Sequence, residues 1–149
     1  MPLRDDRLIT PDELTDSLEK SLSRLGTDYV DVFHLHGLQA PFVDEALESL
    51  VPEMQRQQDL GKIRFLGVTE TFSRDPGHDM FATGLAADVF DVVMVGFSIL
   101  NQSARDRVFA QTIERDVGTL LMFAVRRALS QPAALAELCE SLAADGKGH

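Results

Sequence analysis

Tyr29-Val30-Asp31-Val32-Phe33-His34-Leu35-His36, closed by Gly37, is the stretch on which the fold turns. It is short, rich in β-branched and aromatic residues, and stopped by a glycine, which reads as a strand. A period of two puts Val30, Val32, His34 and His36 on one face. The sequence on either side is helical. Upstream, Thr10 is an N-cap, Pro11 takes the first helical position and Glu13 the third, so a capping box opens a helix. Leu14, Leu18, Leu22 and Leu25 then repeat at helical spacing, and Gly26 suits the end. Downstream, Val43, Ala46, Leu47, Leu50, Val51 and Met54 form one helical stripe. Pro52 lies inside it. Its ring clashes with the carbonyl four residues back, which predicts a kink or two helical pieces.

The alternation continues to the end of the chain. Residues 63–68, the near-continuous apolar run 90–95 and residues 119–123 read as strands. Residues 79–87 and 102–114 read as helices, and a last helix opens at Pro132 with Leu135, Leu138, Cys139 and Leu142 on its apolar side. Helices and strands alternating with short connections imply right-handed crossovers and a parallel sheet. A doubly wound nucleotide-binding fold needs a glycine-rich turn after an early strand, and no G-x-G-x-x-G is present. A closed parallel barrel takes eight strands and about 250 residues. The 149 residues hold four strands. The expected fold is therefore α/β: parallel (β/α) units forming a partial TIM barrel, a half-barrel fragment, with residues 1–149 as one partial domain.

Composition narrows the function. The chain is 44% hydrophobic and 26% charged, with a formal net charge of -10. Acidity on this scale argues against nucleic acid and against anionic membranes. No apolar run approaches the ~18–20 residues that span a bilayer. Residues 1–7 are polar and form no signal sequence, so a cytoplasmic protein is expected. The single cysteine, Cys139, excludes an intrachain disulfide and reads as a small buried hydrophobe.

The polar residues at strand C-termini are the candidates for chemistry, since barrel active sites form there. His36 ends the first strand beside a glycine loop. Its imidazole can donate a hydrogen bond to a substrate carbonyl and orient it. The alternative is a barrel-interior histidine satisfied by its neighbours. Thr69-Glu70 ends the second strand. His34 and His36, with Glu70 adding a carboxylate, could also hold a divalent ion as metal-dependent hydrolases do. His78, in a polar loop, reads as a surface residue.

The segment Ser21-Leu22-Ser23-Arg24-Leu25-Gly26-Thr27-Asp28-Tyr29-Val30-Asp31, running on to His36, resembles the signature helix and strand of the aldo-keto reductases. Gly61-Lys62-Ile63-Arg64 with Gly67-Val68, the strand 92–95 with residues 97–101, and residues 118–122 resemble the strands that follow. The resemblance spans residues 9–129. It implies a (β/α)8 barrel that reduces small carbonyl compounds with NADPH or NADH: hydride passes from nicotinamide to carbon while a tyrosine, tuned by a lysine and an aspartate, gives the proton. The family's carbonyl-positioning histidine falls on His36. The resemblance puts the tyrosine, lysine and aspartate on earlier strands, outside this chain. Tyr29 opens the His36 strand at the wrong end to be the proton donor. The serine-asparagine pair that holds the nicotinamide amide falls on Thr69 and Glu70. Threonine keeps the hydroxyl, but glutamate loses the amide donor. The family's glutamine falls on Met94. The aromatic that stacks on nicotinamide falls near Met122 or Phe123, where a core role is the alternative, and Arg126, with Arg127, could reach a pyrophosphate or be a solvated basic pair. The chain is thus expected to be catalytically incomplete alone, with NADP or NAD as the parent's cofactor. A metal-dependent hydrolase and a non-catalytic truncated remnant are the rival readings. A half-barrel also leaves two bare sheet edges, residues 29–36 and 119–123, so self-association is expected.

Overall fold

The capping box predicted at Thr10 forms. Its hydroxyl accepts the Glu13 N–H at 3.2 Å and the Glu13 carboxylate accepts the Thr10 N–H at 2.9 Å. Arg7 adds two hydrogen bonds to the same carboxylate. The computed structural model describes residues 2–4, 7–125 and 127–144. A two-residue antiparallel hairpin, β1 (Leu3–Arg4) and β2 (Arg7–Leu8), precedes helix α1 (Pro11–Leu25), which Gly26 ends at φ +67°. Then follow β3 (Val30–Leu38), α2 (Val43–Asp59), β4 (Ile63–Glu70), α3 (Asp79–Ala86), β5 (Val92–Gly96), α4 (Ala110–Glu114), β6 (Gly118–Met122), α5 (Arg127–Ser130) and α6 (Pro132–Ala144).

β3, β4, β5 and β6 pair in parallel and in sequence order. Val32 lies opposite Phe65, His34 opposite Gly67, Thr69 opposite Met94, and Met94 opposite Leu120. The register divides the side chains between two faces. Leu35, Leu66, Val68, Val93 and Val95 are buried against the helices, where Leu14 and Leu18 of α1, Leu50 and Met54 of α2, and Phe81 of α3 complete the core. Among the described residues no helix covers the opposite face, on which Phe65 is 45% and Leu120 44% exposed. Among the described residues β3 and β6 each have a strand on one side only, so the sheet is an unclosed part of a (β/α) barrel.

Four expectations need correction. α2 is one helix through Pro52, not two pieces, because Leu50, Val51 and Met54 around it are all buried and packing offsets the lost hydrogen bond. β3 continues past Gly37 to Leu38 instead of stopping there. The helix expected over 102–114 begins as a π-helical turn, Arg105–Phe109, before α4. Cys139 is exposed, not buried, since no residue of α6 is buried. None of the described helices is long and apolar enough to cross a membrane.

Candidate active site

The C-terminal end of β3 is shaped by one extra residue. Leu35 pairs with Val68 but Leu38 pairs with Glu70, so β3 spends three steps where β4 spends two. Gly37 sits in this bulge at φ +76°, a conformation that glycine adopts without strain. Its N–H donates to Thr69 Oγ1 at 2.6 Å and its carbonyl accepts from Thr71 Oγ1 at 2.9 Å. A Cβ on Gly37 would lie 3.2 Å from Thr71 Oγ1. The two threonines therefore clamp the bulge, and the bulge leaves His36 exposed at the rim. His34, two residues earlier, lies deeper. Its ring packs on Gly67, and its Nε2 is buried with no hydrogen-bond partner among the described residues. Burial, and then repulsion from His36, lower its pKa. His34 thus packs into the sheet interior, and His36 stands exposed at the rim.

Thr69 is buried, its hydroxyl occupied by Gly37. The Glu70 side chain is wholly buried as well. One carboxylate oxygen accepts the Gly96 N–H at 2.7 Å and the other lies 2.8 Å from His78 Nδ1. His78 Nε2 in turn lies 2.8 Å from Ser103 Oγ. His78 is therefore no surface residue: a buried carboxylate needs a partner, and the loop before α3 delivers one. Thr71 O receives the N–H groups of Arg74 and Asp75, while the Asp75 carboxylate receives those of Asp79 and Met80, so the loop folds back onto the start of α3. Burial raises the Glu70 pKa, and the bonds from Gly96 and His78 oppose the rise. The network ties the ends of β4 and β5 to the loops that follow them.

An open groove of about 240 Å³ runs beside His36 and Gly37, past Thr71 and Phe72, to Met122 and Phe123. Glu70 borders it only through its main chain, since its side chain has no exposure. Phe72 packs on Gly96, where a Cβ would come within 2.3 Å of the ring. The Phe72 and Phe123 rings lie 5.8 Å apart, tilted by 40°. Phe123 adopts φ +63°, rare for an aromatic residue, and is 47% exposed. Of the residues singled out from sequence, His36 and Phe123 share this groove, Thr69 and Glu70 stand just beneath its floor, and Arg126 lies outside the described residues. Among the described residues no three His, Cys, Asp or Glu side chains are grouped to hold a metal ion. Glu70, which a hydrolase reading would recruit, is bound to His78 instead.

Comparison with known proteins agrees with this architecture. The family model described as "Aldo/keto reductase family" matches residues 5–127. The chain belongs to the aldo/keto reductase family. L-galactose dehydrogenase of Arabidopsis thaliana is 32% identical over 78 residues, which are 52% of this chain and 20% of that protein. The holo form of an aldo-keto reductase from Bacillus halodurans superposes with a TM-score of 0.64 at 21% identity, covering 75% of this chain and 35% of that one. An aldo/keto reductase from Klebsiella pneumoniae, solved in complex with NADP and acetate, gives 0.60 at 19% identity, covering 93% and 50%. The chain thus spans half or less of the length of these relatives.

The site fits an aldo/keto reductase only in part. His36, Phe72 and Phe123 border one groove. At the positions matched by resemblance to the nicotinamide amide contacts, the Thr69 hydroxyl accepts the Gly37 N–H, the Glu70 carboxylate is engaged by Gly96 and His78, and Met94 has no strong polar group. Phe72, His78 and Ser103 were not legible as site residues. The available signal was Glu70 itself, since an acid ending an apolar strand demands a partner.

Proposed function

We infer that this chain is the carbonyl-orienting part of an NAD(P)-dependent oxidoreductase that interconverts a small carbonyl compound and its alcohol, and that it does not turn over alone. The whole of residues 1–149 forms one partial barrel domain of a cytoplasmic enzyme. The observation that carries this reading is His36, exposed at the strand ends on a clamped bulge and facing a groove with an aromatic wall. An imidazole N–H there is placed to donate to a carbonyl oxygen and polarise it. Tyr29, the chain's one tyrosine, precedes the first residue of β3, at the other end of the sheet from His36, and so is no proton donor to this groove. Orientation without a proton donor leaves the barrier nearly unchanged.

Two experiments test this. The purified chain with an aromatic aldehyde should leave NADPH absorbance unchanged beyond background, and turnover that depends on His36 would overturn the reading. In a chimaera joining these strands to the lysine-, tyrosine- and aspartate-bearing strands of a family member, His36→Ala should lower turnover by roughly 10²-fold. His34→Ala should lower it less. Equal losses restored by zinc would favour the hydrolase alternative. The engaged Thr69 and Glu70 support a second reading, a chain that keeps the fold but binds no dinucleotide. NADPH fluorescence that fails to change on titration into the chimaera would favour it.

A further inference from the structure

A row of three contacts runs from the end of β4 to the loop after β5. Glu70 Oε2 lies 2.8 Å from His78 Nδ1, His78 Nε2 lies 2.8 Å from Ser103 Oγ, and Ser103 Oγ lies 2.5 Å from Asn101 Oδ1. Each contact needs one proton between its two heavy atoms. The far end of the row is fixed. Asn101 Oδ1 also accepts the Ser103 N–H at 3.1 Å, and turning the amide about would set its NH2 against that N–H. An amide oxygen has no proton to give, so the Ser103 hydroxyl donates to Asn101. Pro76 O, at 3.2 Å, is the longer contact for the same hydroxyl proton. Toward His78 the serine then offers lone pairs, and an N–H on His78 Nε2 must fill that contact. The Glu70–His78 contact needs a further proton, on His78 Nδ1 or on Glu70 Oε2. The other Glu70 oxygen accepts the Gly96 N–H. An ionised carboxylate and a neutral imidazole together bring one proton to these two contacts, and two are required.

We propose that Glu70 and His78 jointly hold this additional proton, and that it latches the loop 71–78 onto the loop 97–104. With the proton the pair has no net charge, and without it the pair carries one negative charge. Both side chains are wholly buried, where an uncompensated charge is costly. Burial raises the Glu70 pKa, the bonds from Gly96 and His78 oppose the rise, and Asp75 adds to it. The other neighbours are accounted for. β3 sets Leu38 opposite Glu70, and β5 presents the Gly96 N–H. The Asp75 carboxylate receives the Asp79 and Met80 N–H groups, and Arg107 bonds Gly77 O and Asp79. The Phe72 ring lies 5.7 Å from that of His78. When the proton leaves, one contact in the row sets lone pair against lone pair. The folded pair holds the proton more tightly than a free carboxylate does. The latch is therefore closed at low pH and released as pH rises above the ordinary carboxylate range. Phe72, which packs on Gly96 and walls the groove beside His36, rides on the latched loop, so release loosens that wall. The inference rests on hydrogen-bond geometry and not on the chemistry proposed for His36.

Two-bond 1H–15N correlations of the imidazole rings in the intact chain are the test, with His78→Gln assigning the signals. Near neutral pH, His78 Nε2 should carry a proton. A bare Nε2 with the proton on Nδ1 overturns the proposal. The Ser103 hydroxyl would then donate to His78, in the order serine, histidine, acid that activates a nucleophile. Glu70→Gln supplies the second measurement. The glutamine oxygen can accept the Gly96 N–H while its amide donates to His78 Nδ1, which fills every contact without a titrating acid. In wild type the Gly96 and Ser103 N–H signals should shift together in one pH transition. In Glu70→Gln that shared transition should be absent. A transition that survives the substitution belongs to another group, such as Asp75, and overturns the proposal. Neither measurement bears on the His36 chimaera, which reads turnover at a different side chain.

Discussion

Gly67→Ala should destabilise the chain through one side chain, His34. The two residues are opposite one another in the β3–β4 ladder, and the imidazole occupies the space a side chain at 67 would take. A Cβ at Gly67 would stand 2.5 Å from His34 Cδ2, 2.7 Å from Nε2 and 2.8 Å from Cγ. Favourable contact between carbons lies near 3.5–4.0 Å, so the ring must shift by about 1 Å. Cγ is bonded directly to Cβ and moves only if χ1 leaves its rotamer well. Such overpacking costs roughly 1–3 kcal/mol. Alanine returns about 0.5–1 kcal/mol through lower strand entropy. The net loss is about 1–2 kcal/mol, or roughly 2–8 °C in Tm for a chain of this length. Thermal unfolding at fixed protein concentration should be measured for wild type, Gly67→Ala, His34→Ala and the double variant. The penalty should vanish in the His34→Ala background, where only the entropic gain of alanine remains. An equal penalty in both backgrounds would show that His34 is not its source.

His78→Ala should cost roughly 3–5 kcal/mol in urea unfolding, because it strands the buried Glu70 carboxylate. Glu70→Gln, which keeps an acceptor for the Gly96 N–H, should cost less. Thr10→Ala should cost about 1 kcal/mol by removing the cap on α1. Glu53 governs part of the acid response: hydrogen bonds from Arg56 above all, then from Thr15 and Gln57, hold its carboxyl at about 2, against an ordinary 4.5. A depressed carboxylate contributes stability that is whole above 4.5 and lost as pH falls toward 2. Arg56 is 57% exposed, so screening limits the contribution to about 1 kcal/mol. Glu53→Gln should therefore be less stable than wild type at neutral pH and equal to it near pH 2. A difference that stays constant over that range would remove the ion pair from the account.

The elements legible in the sequence were those whose cause is local. The cap at Thr10, the stop at Gly26 and the alternation in β3 each depend on residues within a few positions, and all appear as read. What depends on distant partners was not legible. His78 follows Asp75-Pro76-Gly77, a surface turn by composition, and only Glu70 and Ser103 make it a buried residue. The stripe on α6 has helical periodicity, but periodicity does not say whether an element stands opposite. Here no residue of α6 is buried, and Cys139 is exposed. Pro52 should break a helix judged alone, yet the buried residues beside it hold α2 in one piece.

The candidate site divides along the same line. His36 was legible because its place depends on strand period and on the glycine that follows. Thr69 and Glu70, which the resemblance matched to the family's serine-asparagine pair, bond to their neighbours within the chain. Thr69 fastens the bulge that carries His36, and Glu70 fastens β5 and the loop before α3. Both side chains hold the rim together. The Thr69 hydroxyl accepts the Gly37 N–H and keeps its own O–H, whereas both Glu70 carboxylate oxygens are engaged, by Gly96 and by His78. Because one carboxylate joins the Gly96 N–H to His78, substitutions at Glu70 that break both bonds should loosen the end of β5 and the loop before α3 together.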